Sequence, residues 1–241
     1  MLLEVVVHSF KFSRLLVYHL SSLAMFPPRR HDLRVTVCYC PDDRDTAKVL
    51  HFFAAQECPN HLTWHWLPMA KENVCNRTIG RNVCALKTRA DWVWFADADY
   101  AVADGFVDSM ADLLSDSQAN LVFPREVLAC PHEIGADLIQ HSRLAVLPIP
   151  YERFEPHGFN RAIGGVQFAR GSVCRAKGYC NGDGRSLQPS PDGWLREISD
   201  SRFRRALGTN GAGVSCPGLY RIRHREDTFD ARKKRADGTP T

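Results

Sequence analysis

The segment DWVWFADADY, from Asp91 to Tyr100, is an apolar run that ends in two aspartates one residue apart. In an extended segment residues i and i+2 point the same way, so Asp97 and Asp99 can present both carboxylates to one point. The two charges repel, and a hard divalent cation such as Mg²⁺ or Mn²⁺ removes that repulsion through its oxygen ligands. Phosphate oxygens commonly fill its remaining positions. The alternative is that Asp97 caps the following turn while Asp99 is solvated.

Four predicted strands alternate with helices in the first half of the chain. The strand segments are LEVVVHS, LRVTVCYC, LTWHWLP and DWVWFADAD. Each is followed by a helical pattern, in the segments SRLLVYHLSSLAMF, TAKVLHFFAAQE, NRTIGRNVCALKTRA and ADGFVDSMADLLSD. Such alternation is typical of βαβ units. We therefore expect an α/β fold with a Rossmann-like, mixed but mainly parallel sheet flanked by helices.

Polar residues follow three of these strands at the point where each ends. His8 and Ser9 follow the first strand, the pair Asp42–Asp43 follows the second, and the segment Asp97–Asp99 follows the fourth. In open α/β sheets, ligands bind beyond the carboxyl ends of the strands. We therefore expect the three clusters to converge on one edge of the sheet.

The second half of the chain has less regular patterns. EIGADLIQHSRLAVL predicts a helix, and YERFEPHGFNRAIGG predicts a loop because it is rich in Pro, Gly and polar residues. A short strand running into a helix is expected for GVQFARGSVCRAKGY, a helix for WLREISDSRFRRAL, and one or two last strands for VSCPGLYRIRHRE. No internal repeat or long linker is visible, which favours one domain.

Composition restricts the class of protein and its partners. The 241 residues are 44% hydrophobic and 24% charged, which is ordinary for a soluble globular protein, and the net charge is +4. No basic stripe interleaved with aromatics indicates nucleic acid as a partner. The nine cysteines include no CxxC pair, which favours free thiols and a cytoplasmic protein. No targeting segment or membrane span is predicted, and the basic residues 226–241 are expected to form a flexible tail that could contact a membrane peripherally.

Three segments carry a resemblance to a known family. RNVCALKTRADWVWFADADY, GGVQFARGSV and SDSRFRRAL resemble family 2 glycosyltransferases of the GT-A fold, and the similarity covers roughly residues 3–225. The resemblance implies a single GT-A domain over residues 1–225, with a nucleotide-sugar-binding half at 1–125 and an acceptor-binding half at 126–225. It also implies metal-dependent transfer of a sugar from a nucleotide-diphosphate sugar to an acceptor hydroxyl, on a carbohydrate or another molecule, with inversion.

The resemblance also assigns residues to the metal and the diphosphate. Asp99 would be the direct ligand of Mn²⁺ or Mg²⁺, and Asp97 would contact the ribose and the metal-bound phosphates. His224, in YRIRHRED, matches a late histidine that completes the metal site in some members; the alternative is a surface histidine. Arg81, followed by Asn82, matches the "RN" pair of the preceding helix and would bind the nucleotide sugar.

A carboxylate is required to take the proton of the acceptor hydroxyl as it attacks the anomeric carbon. The family often has Glu-Asp before an arginine-bearing helix, with the Asp as general base. ISDSRFRRAL places Asp200 at the position of that Asp, but Ser199 replaces the Glu. Asp192 and Glu197 therefore stay open as substitutes for the base.

The nucleotide end of the site is assigned to residues near the strand ends. His8 and Phe10 are expected to stack on or border the nucleobase, and Asp42 lies near the position where the family places an aspartate against the base. Arg77 is a candidate for the base or the pyrophosphate, or a plain surface arginine. The pair Gly164–Gly165, with Gly165 as the binding residue, would let the backbone approach the donor sugar closely, and a simple turn is the alternative.

Other functions can use the same motif. A haloacid dehalogenase-type phosphatase uses Asp-x-Asp as nucleophile and acid/base, but this chain has DADYAV after three prior strands where that family has DxDGT near the N-terminus. A nucleotidyltransferase usually carries an N-terminal glycine-rich loop, and VVVHSFKFSR contains no glycine. A non-catalytic protein that binds a nucleotide sugar is the remaining alternative.

Overall fold

The computed structural model describes residues 1–182, 184–194 and 199–224. The strands within these residues are β1 Leu2–Ser9, β2 Asp32–Tyr39, β3 Leu62–Pro68, β4 Trp92–Phe95, β5 Tyr100–Val102, β6 Leu121–Pro124, β7 Glu126–Ala129, β8 Glu155–Gly158, β9 Gln167–Arg170, β10 Ala212–Val214 and β11 Leu219–Arg221. The helices are α1 Ser13–Met25, α2 Arg44–Ala54, α3 Lys71–Val74, α4 Arg77–Lys87, α5 Phe106–Asp116, α6 His132–His141, α7 Gly171–Lys177 and α8 Ser199–Leu207.

Within the described residues, seven strands form the central sheet in the order β10-β6-β9-β4-β1-β2-β3. The pairs β1–β2, β1–β4, β2–β3 and β6–β10 are parallel, and only β9 runs antiparallel to its neighbours β4 and β6. The predicted α/β class, with a mixed but mainly parallel sheet flanked by helices, is therefore confirmed. The carboxyl ends of β1, β2, β3 and β4 meet at one edge of the sheet.

The β-branched run of β1 forms the centre of the core. Val5, Val6 and Val7 are fully buried, because helices cover both faces of the sheet. Val5 and Val7 pack in one hydrophobic cluster with α1 and α2, and Val6 packs in a second cluster with residues of α4, α7 and α8. The period of two in a strand thus assigns alternate valines to opposite layers.

The sequence did not predict a second sheet, which has the order β5-β11-β7-β8 among the described residues. Its strands have three or four residues each, too few to show an alternating pattern. The segment predicted as a loop contains the 3₁₀ turn Tyr151–Arg153 and the strand β8 Glu155–Gly158. The expectation of a pure loop there is wrong, because cross-strand pairing with β7 overrides the Pro and Gly composition.

Side-chain caps fix the first residues of two helices that border the sheet edge. Asp43 caps α2 by accepting hydrogen bonds from the backbone N–H and the hydroxyl of Thr46. Asn76 caps α4 by accepting the N–H of Thr78 at 3.1 Å. Helix α4 therefore begins at Arg77, which places Arg77 and Arg81, four residues apart, on the same face.

None of the helices in the described residues combines the length and the apolar character needed to cross a membrane.

Candidate active site

The paired aspartates lie in a turn that follows the buried strand β4. The strand ends at Phe95, and the N–H of Tyr100 donates to the carbonyl of Asp97 at 3.2 Å. The segment is therefore not extended at these residues, and the assumption that spacing alone aims both carboxylates at one point is wrong. Asp97 faces arginines of α4, whereas Asp99 faces an arginine of β11.

Asp97 is bound by two guanidinium groups. Its Oδ1 accepts from Nη1 of Arg77 at 2.8 Å and from Nη2 of Arg81 at 2.9 Å. Burial acts to raise the pKa of Asp97, but the charges of Arg77, Arg81 and Arg221 outweigh burial, so the pKa lies below its ordinary value. Asp97 is therefore a carboxylate at neutral pH.

Arg81 links Asp97 to the opposite wall of the site. It is 1% exposed, and its Nη1 donates to Oδ1 of Asp200 at 3.1 Å and to the hydroxyl of Tyr179 at 3.2 Å. Burial acts to lower its pKa, but Tyr179 and the two carboxylates raise the pKa above its ordinary value. The expectation that Arg81 binds the nucleotide sugar directly is corrected, because its charge is paired with two partly exposed carboxylates and Arg81 itself does not reach the surface.

Asp200 lies at the start of α8, next to Asp97, although the two residues are far apart in sequence. Its Oδ1 accepts from Arg81 and from the Tyr179 hydroxyl at 2.8 Å, and its Oδ2 accepts from the backbone N–H of Gly164 at 2.7 Å. A Cβ atom built on Gly164 would lie 3.3 Å from Oδ2 of Asp97 and 3.9 Å from Oδ2 of Asp200. Two carboxylates thus border the same glycine, at the sheet edge where the resemblance requires a base.

The two substitutes for the base are not part of this arrangement. Asp192 is exposed on the loop before α8, and Glu197 lies outside the described residues. Among the described candidates, Asp200 alone adjoins Asp97 and Arg81.

Gly165 has a structural reason to be glycine. A Cβ atom at this residue would lie 2.3 Å from the Tyr100 ring and 2.9 Å from the backbone nitrogen of Asp97. Its carbonyl accepts the indole N–H of Trp94 at 2.6 Å. The expectation that Gly165 makes room for the donor sugar is corrected, because the space is filled by Tyr100; the neighbouring Gly164, with a φ of 40°, faces the carboxylates.

Asp99 has one oxygen available for a ligand. Its Oδ2 accepts from Nε of Arg221 at 2.9 Å, while its Oδ1 is buried and has no hydrogen-bond partner among the described residues. A buried carboxylate oxygen without a partner is costly unless a cation or donor occupies it, so Asp99 fits a divalent cation.

A complete protein cage for such an ion is absent from the described residues, since no three His, Cys, Asp or Glu side chains form a group that could hold a metal. His224 in particular does not join Asp99 and a third such residue; its ring lies 6.1 Å from that of Phe12, measured between centroids. Mg²⁺ sites that use one or two carboxylates plus substrate phosphates need no such cage. The donor set therefore suits an ion shared with a diphosphate.

An open cleft of about 340 Å³ adjoins the carboxyl ends of β1 and β2. It is lined by Phe10, Lys11, Asp42 and Lys71, among others. The ammonium groups of Lys11 and Lys71 lie 5.6 Å and 5.9 Å from the centroid of the Phe10 ring, within cation–π distance. The lining thus combines an aromatic face with three cations, Lys11, Arg44 and Lys71, and three carboxylates, Asp42, Asp43 and Asp45.

His8 does not line this cleft. It is 4% exposed and lies beneath α4, where a Cβ atom on Gly80 would approach its Nε2 to 2.1 Å. Burial first, and then the charges of Arg81 and Arg77, hold the pKa of His8 well below its ordinary value. The expectation that His8 stacks on the nucleobase is corrected, because the helix covers the ring, and Gly80 exists in α4 to allow that packing.

Sequence reasoning did not identify several residues of the site: Lys11, Lys71, Tyr179 and Arg221. Lys11 follows Phe10 directly in the sequence, so its position just after the predicted first strand was a signal that it lies near the site. Tyr179 and Arg221 lie on late elements, and their contacts with Asp200 and Asp99 bring together distant parts of the sequence. No local pattern marks such contacts.

No protein-family model and no curated protein sequence matches the chain, so its similarity to known proteins is structural. The complex of S. aureus TarS 1–349 with UDP-GlcNAc superimposes with a TM-score of 0.62 at 12% identity, over 96% of this chain and 61% of that one. The complex of TarS 1–349 with UDP gives 0.57 at 13% identity, covering 96% and 63%. A further TarS structure gives 0.58 at 13% identity, covering 92% of this chain and 37% of that chain.

The chain therefore spans less than two thirds of the length of these proteins. At such identities the likeness shows a shared fold, in agreement with the fold expected from the sequence resemblance.

Proposed function

We propose that the protein is a glycosyltransferase that moves a sugar from a uridine-diphosphate sugar to an acceptor hydroxyl. The observation that carries this proposal is that Asp97 and Asp200 both border Gly164, each with its Oδ2 within 4 Å of a Cβ atom built on that glycine, at the edge of the sheet where β4 ends. One carboxylate is then available on the donor side and one on the acceptor side. The shared fold with a protein that binds UDP-GlcNAc and UDP supports the choice of donor.

The cleft beside Phe10 is the proposed nucleotide site. The Phe10 ring offers a face for a pyrimidine, and Asp42 is exposed at the rim, where it can accept hydrogen bonds from the base. Lys11 and Lys71 add positive charge near the ring and would favour the phosphates. In this proposal the nucleotide lies across the ends of β1 and β2, with its diphosphate directed toward Asp97 and Asp99.

A Mn²⁺ or Mg²⁺ ion, if bound, would be held by Asp99 through its Oδ1, together with the diphosphate oxygens. His224 is the second protein ligand that the family resemblance suggests. The chemistry that the ion would supply is stabilisation of the negative charge gathered by the leaving diphosphate. Arg77 and Arg221, whose side chains are 41% and 37% exposed, can add to that stabilisation from the protein itself.

Asp200 is the proposed general base. Its side chain is 28% exposed, so an acceptor hydroxyl can reach it, and its Oδ2 accepts from the N–H of Gly164 while Arg81 binds Oδ1. A single base that faces the leaving group across the donor sugar implies one displacement with inversion. Gly164, Tyr179 and Asp200 all belong to residues 126–225, which agrees with an acceptor-binding second half.

The phosphatase alternative finds less support. It requires Asp97 as a free nucleophile with Asp99 as its acid/base partner, but Oδ1 of Asp97 is held by two arginines and Asp99 is directed toward β11. The non-catalytic alternative differs from the proposal in turnover alone, and only an assay separates the two.

The test is to incubate the protein with a panel of UDP-sugars, Mn²⁺ and mixed hydroxyl acceptors, and to measure UDP release with and without EDTA. Metal-dependent UDP release is expected for at least one donor, together with transfer to an acceptor. UDP binding by calorimetry without any turnover would support the non-catalytic alternative. Cleavage of p-nitrophenyl phosphate without UDP release would overturn the transferase.

Two matched variants locate the base. Asp200→Asn is expected to keep UDP affinity within about threefold and to lower transfer by about 100-fold or more, the usual scale for loss of a general base. Asp116→Asn removes a carboxylate that is exposed at the end of α5 and should leave both quantities unchanged. Loss of transfer in Asp192→Asn with normal transfer in Asp200→Asn would move the base to Asp192.

A further inference from the structure

We propose that Tyr179 is a positioning residue for Asp200, which it holds so that Oδ2 is the oxygen that accepts the proton of the acceptor. The inference rests on the proposed function, since it gives Asp200 the role of base. It adds a residue and an atom assignment that no sequence motif supplies.

The hydrogen bonds of Asp200 distinguish its two oxygens. A carboxylate oxygen has two lone pairs. Oδ1 accepts two hydrogen bonds, from the Tyr179 hydroxyl at 2.8 Å and from Arg81 at 3.1 Å, so both of its lone pairs are used. Among the described residues Oδ2 accepts one hydrogen bond, from the N–H of Gly164 at 2.7 Å, which leaves one lone pair for an incoming hydroxyl.

Tyr179 is held rigidly enough to perform this task. It is fully buried, its ring stacks on Phe203 with centroids 4.3 Å apart, and it packs edge-on against Phe95 at 4.7 Å. Its backbone N–H donates to Oδ1 of Asn82 at 2.9 Å. Arg81 and Asn82 are neighbours on α4, so one turn of helix fixes both Asp200 and the residue that orients it.

The Tyr179 hydroxyl remains a donor at any working pH. Burial first, and then the charge of Asp200, raise the pKa of Tyr179 far above its ordinary value. The hydroxyl has one proton and two acceptors in reach, namely Asp200 at 2.8 Å and Oε1 of Gln167 at 3.4 Å. The shorter bond to a charged oxygen takes the proton, and Arg81 donates to the phenol oxygen from the other side.

The test uses Tyr179→Phe, which removes the hydroxyl and keeps the ring contacts. We expect kcat for transfer to fall about tenfold or more, the scale of a lost hydrogen bond to a charged group, with KM for the UDP-sugar within about twofold. The loss should fall on kcat and not on KM, because the hydroxyl orients Asp200 and does not contact the donor, while Arg81 and Asp97 stay in place.

The matched control is Tyr18→Phe. Tyr18 is also a buried phenol and donates to the carbonyl of Leu138 at 2.9 Å, away from the site. Its loss should cost similar stability and leave kcat and KM unchanged. In the double variant Tyr179→Phe with Asp200→Asn, kcat should equal that of Asp200→Asn alone, because Tyr179 acts through Asp200.

A wild-type chain that transfers no sugar overturns the proposed function and this inference together. An active wild-type chain whose Tyr179→Phe variant keeps kcat within about twofold, or raises KM for the UDP-sugar as much as it lowers kcat, overturns the role of Tyr179 alone. A further loss of activity when Tyr179→Phe is added to Asp200→Asn also contradicts it, since the hydroxyl would then act on something other than Asp200.

Discussion

The two carboxylates that flank residue 98 have different hydrogen-bond and ion-pair partners. On one side, Asp97 shares Arg81 with Asp200, and the Tyr179 hydroxyl completes the group. On the other side, Asp99 has a single arginine, Arg221, and a buried oxygen without a partner among the described residues. The sequence presents the two aspartates as equivalent, and the structure does not.

The difference indicates that the Asp97 carboxylate stabilises the fold, whereas the Asp99 carboxylate has an oxygen that can bind a ligand. A buried charge that is fully paired adds rigidity, and removal of its partner is strongly destabilising. A buried oxygen without a partner reduces stability until something binds to it. We therefore expect the Asp97 side to control stability and geometry, and the Asp99 side to control ligand affinity.

The largest effect is expected for Arg81→Met. The variant leaves Asp97 and Asp200 close together without their shared cation, in a site where Arg81 is 1% exposed. Breaking a buried pair in this way costs about 3–5 kcal/mol. Thermal or urea unfolding should show that loss, with a decrease in Tm of about 10 °C for a chain of this size.

Arg77→Met is the matched control, because Arg77 also binds Asp97 but its side chain is 41% exposed. Solvent screens that pair, so the loss should stay below about 1 kcal/mol. Equal losses in the two variants would contradict the view that Arg81 is the structural centre of the Asp97 side.

The second prediction concerns the pH dependence of folding stability that arises on the Asp99 side. His19 is buried behind this side and donates from Nδ1 to the carbonyl of Tyr100 at 2.7 Å, and burial lowers its pKa to about 4. The unfolded chain takes up the proton near pH 6.5. The His19 contribution is therefore complete above about pH 6.5 and is lost as the pH falls toward 4, by about 3 kcal/mol in total.

Urea unfolding from pH 7 to pH 4.5 measures this loss. His19→Gln should lose clearly less stability than the wild type over that range, with the remainder due in part to His8, whose pKa burial also lowers. His141→Gln replaces an exposed histidine and should follow the wild-type curve. An unchanged pH dependence in His19→Gln would show that another group is responsible.

The fold was predictable from the sequence wherever the signal is local. The β-branched run of β1 and the helical period of α2 are each contained in a dozen residues, and the order of such elements defines the parallel sheet. The second sheet was not predictable, because β5 and β11 have three residues each. These two strands pair with each other although more than a hundred residues separate them in sequence. Short strands take their structure from their neighbours.

The same distinction applies to the site. The convergence of strand ends followed from topology, so Asp97 was placed correctly at the edge of the sheet. The turn at Asp97–Tyr100 did not follow, because nothing in the local pattern marks where the chain leaves the extended conformation after β4. The contact between Arg81 and Asp200 did not follow either, because the two residues are 119 positions apart in sequence. His8 was predicted to contact the nucleobase because it lies at a polar strand end. Helix α4 covers its ring, so that prediction is wrong.

The third prediction compares the two aspartates directly. Asp99→Asn should lower the Mn²⁺-dependent affinity for UDP by about tenfold or more, and should leave Tm nearly unchanged or raised, because a partner-free charged oxygen disappears. Asp97→Asn should destabilise the protein by about 1–3 kcal/mol, because it weakens the bonds to two arginines. Calorimetry measures the Mn²⁺ and UDP affinities of both variants, and thermal melts measure their stabilities. Unaltered Mn²⁺ and UDP affinity in Asp99→Asn would show that the metal assignment is wrong.

The smallest effect is expected at Gly164, which borders the carboxylates of Asp97 and Asp200. Gly164 and Gly105 both have a positive φ, 40° and 78°, so alanine at either should cost about 1 kcal/mol of backbone strain. Only at Gly164 does the new methyl group meet Oδ2 of Asp97, at 3.3 Å; nothing lies within 4 Å at Gly105. Gly164→Ala should therefore lower kcat about fivefold, a scale set by slight misplacement of reacting groups, and Gly105→Ala should not. Equal kcat values for the two variants would place the reaction away from Gly164, and with it the proposed meeting point of donor and base.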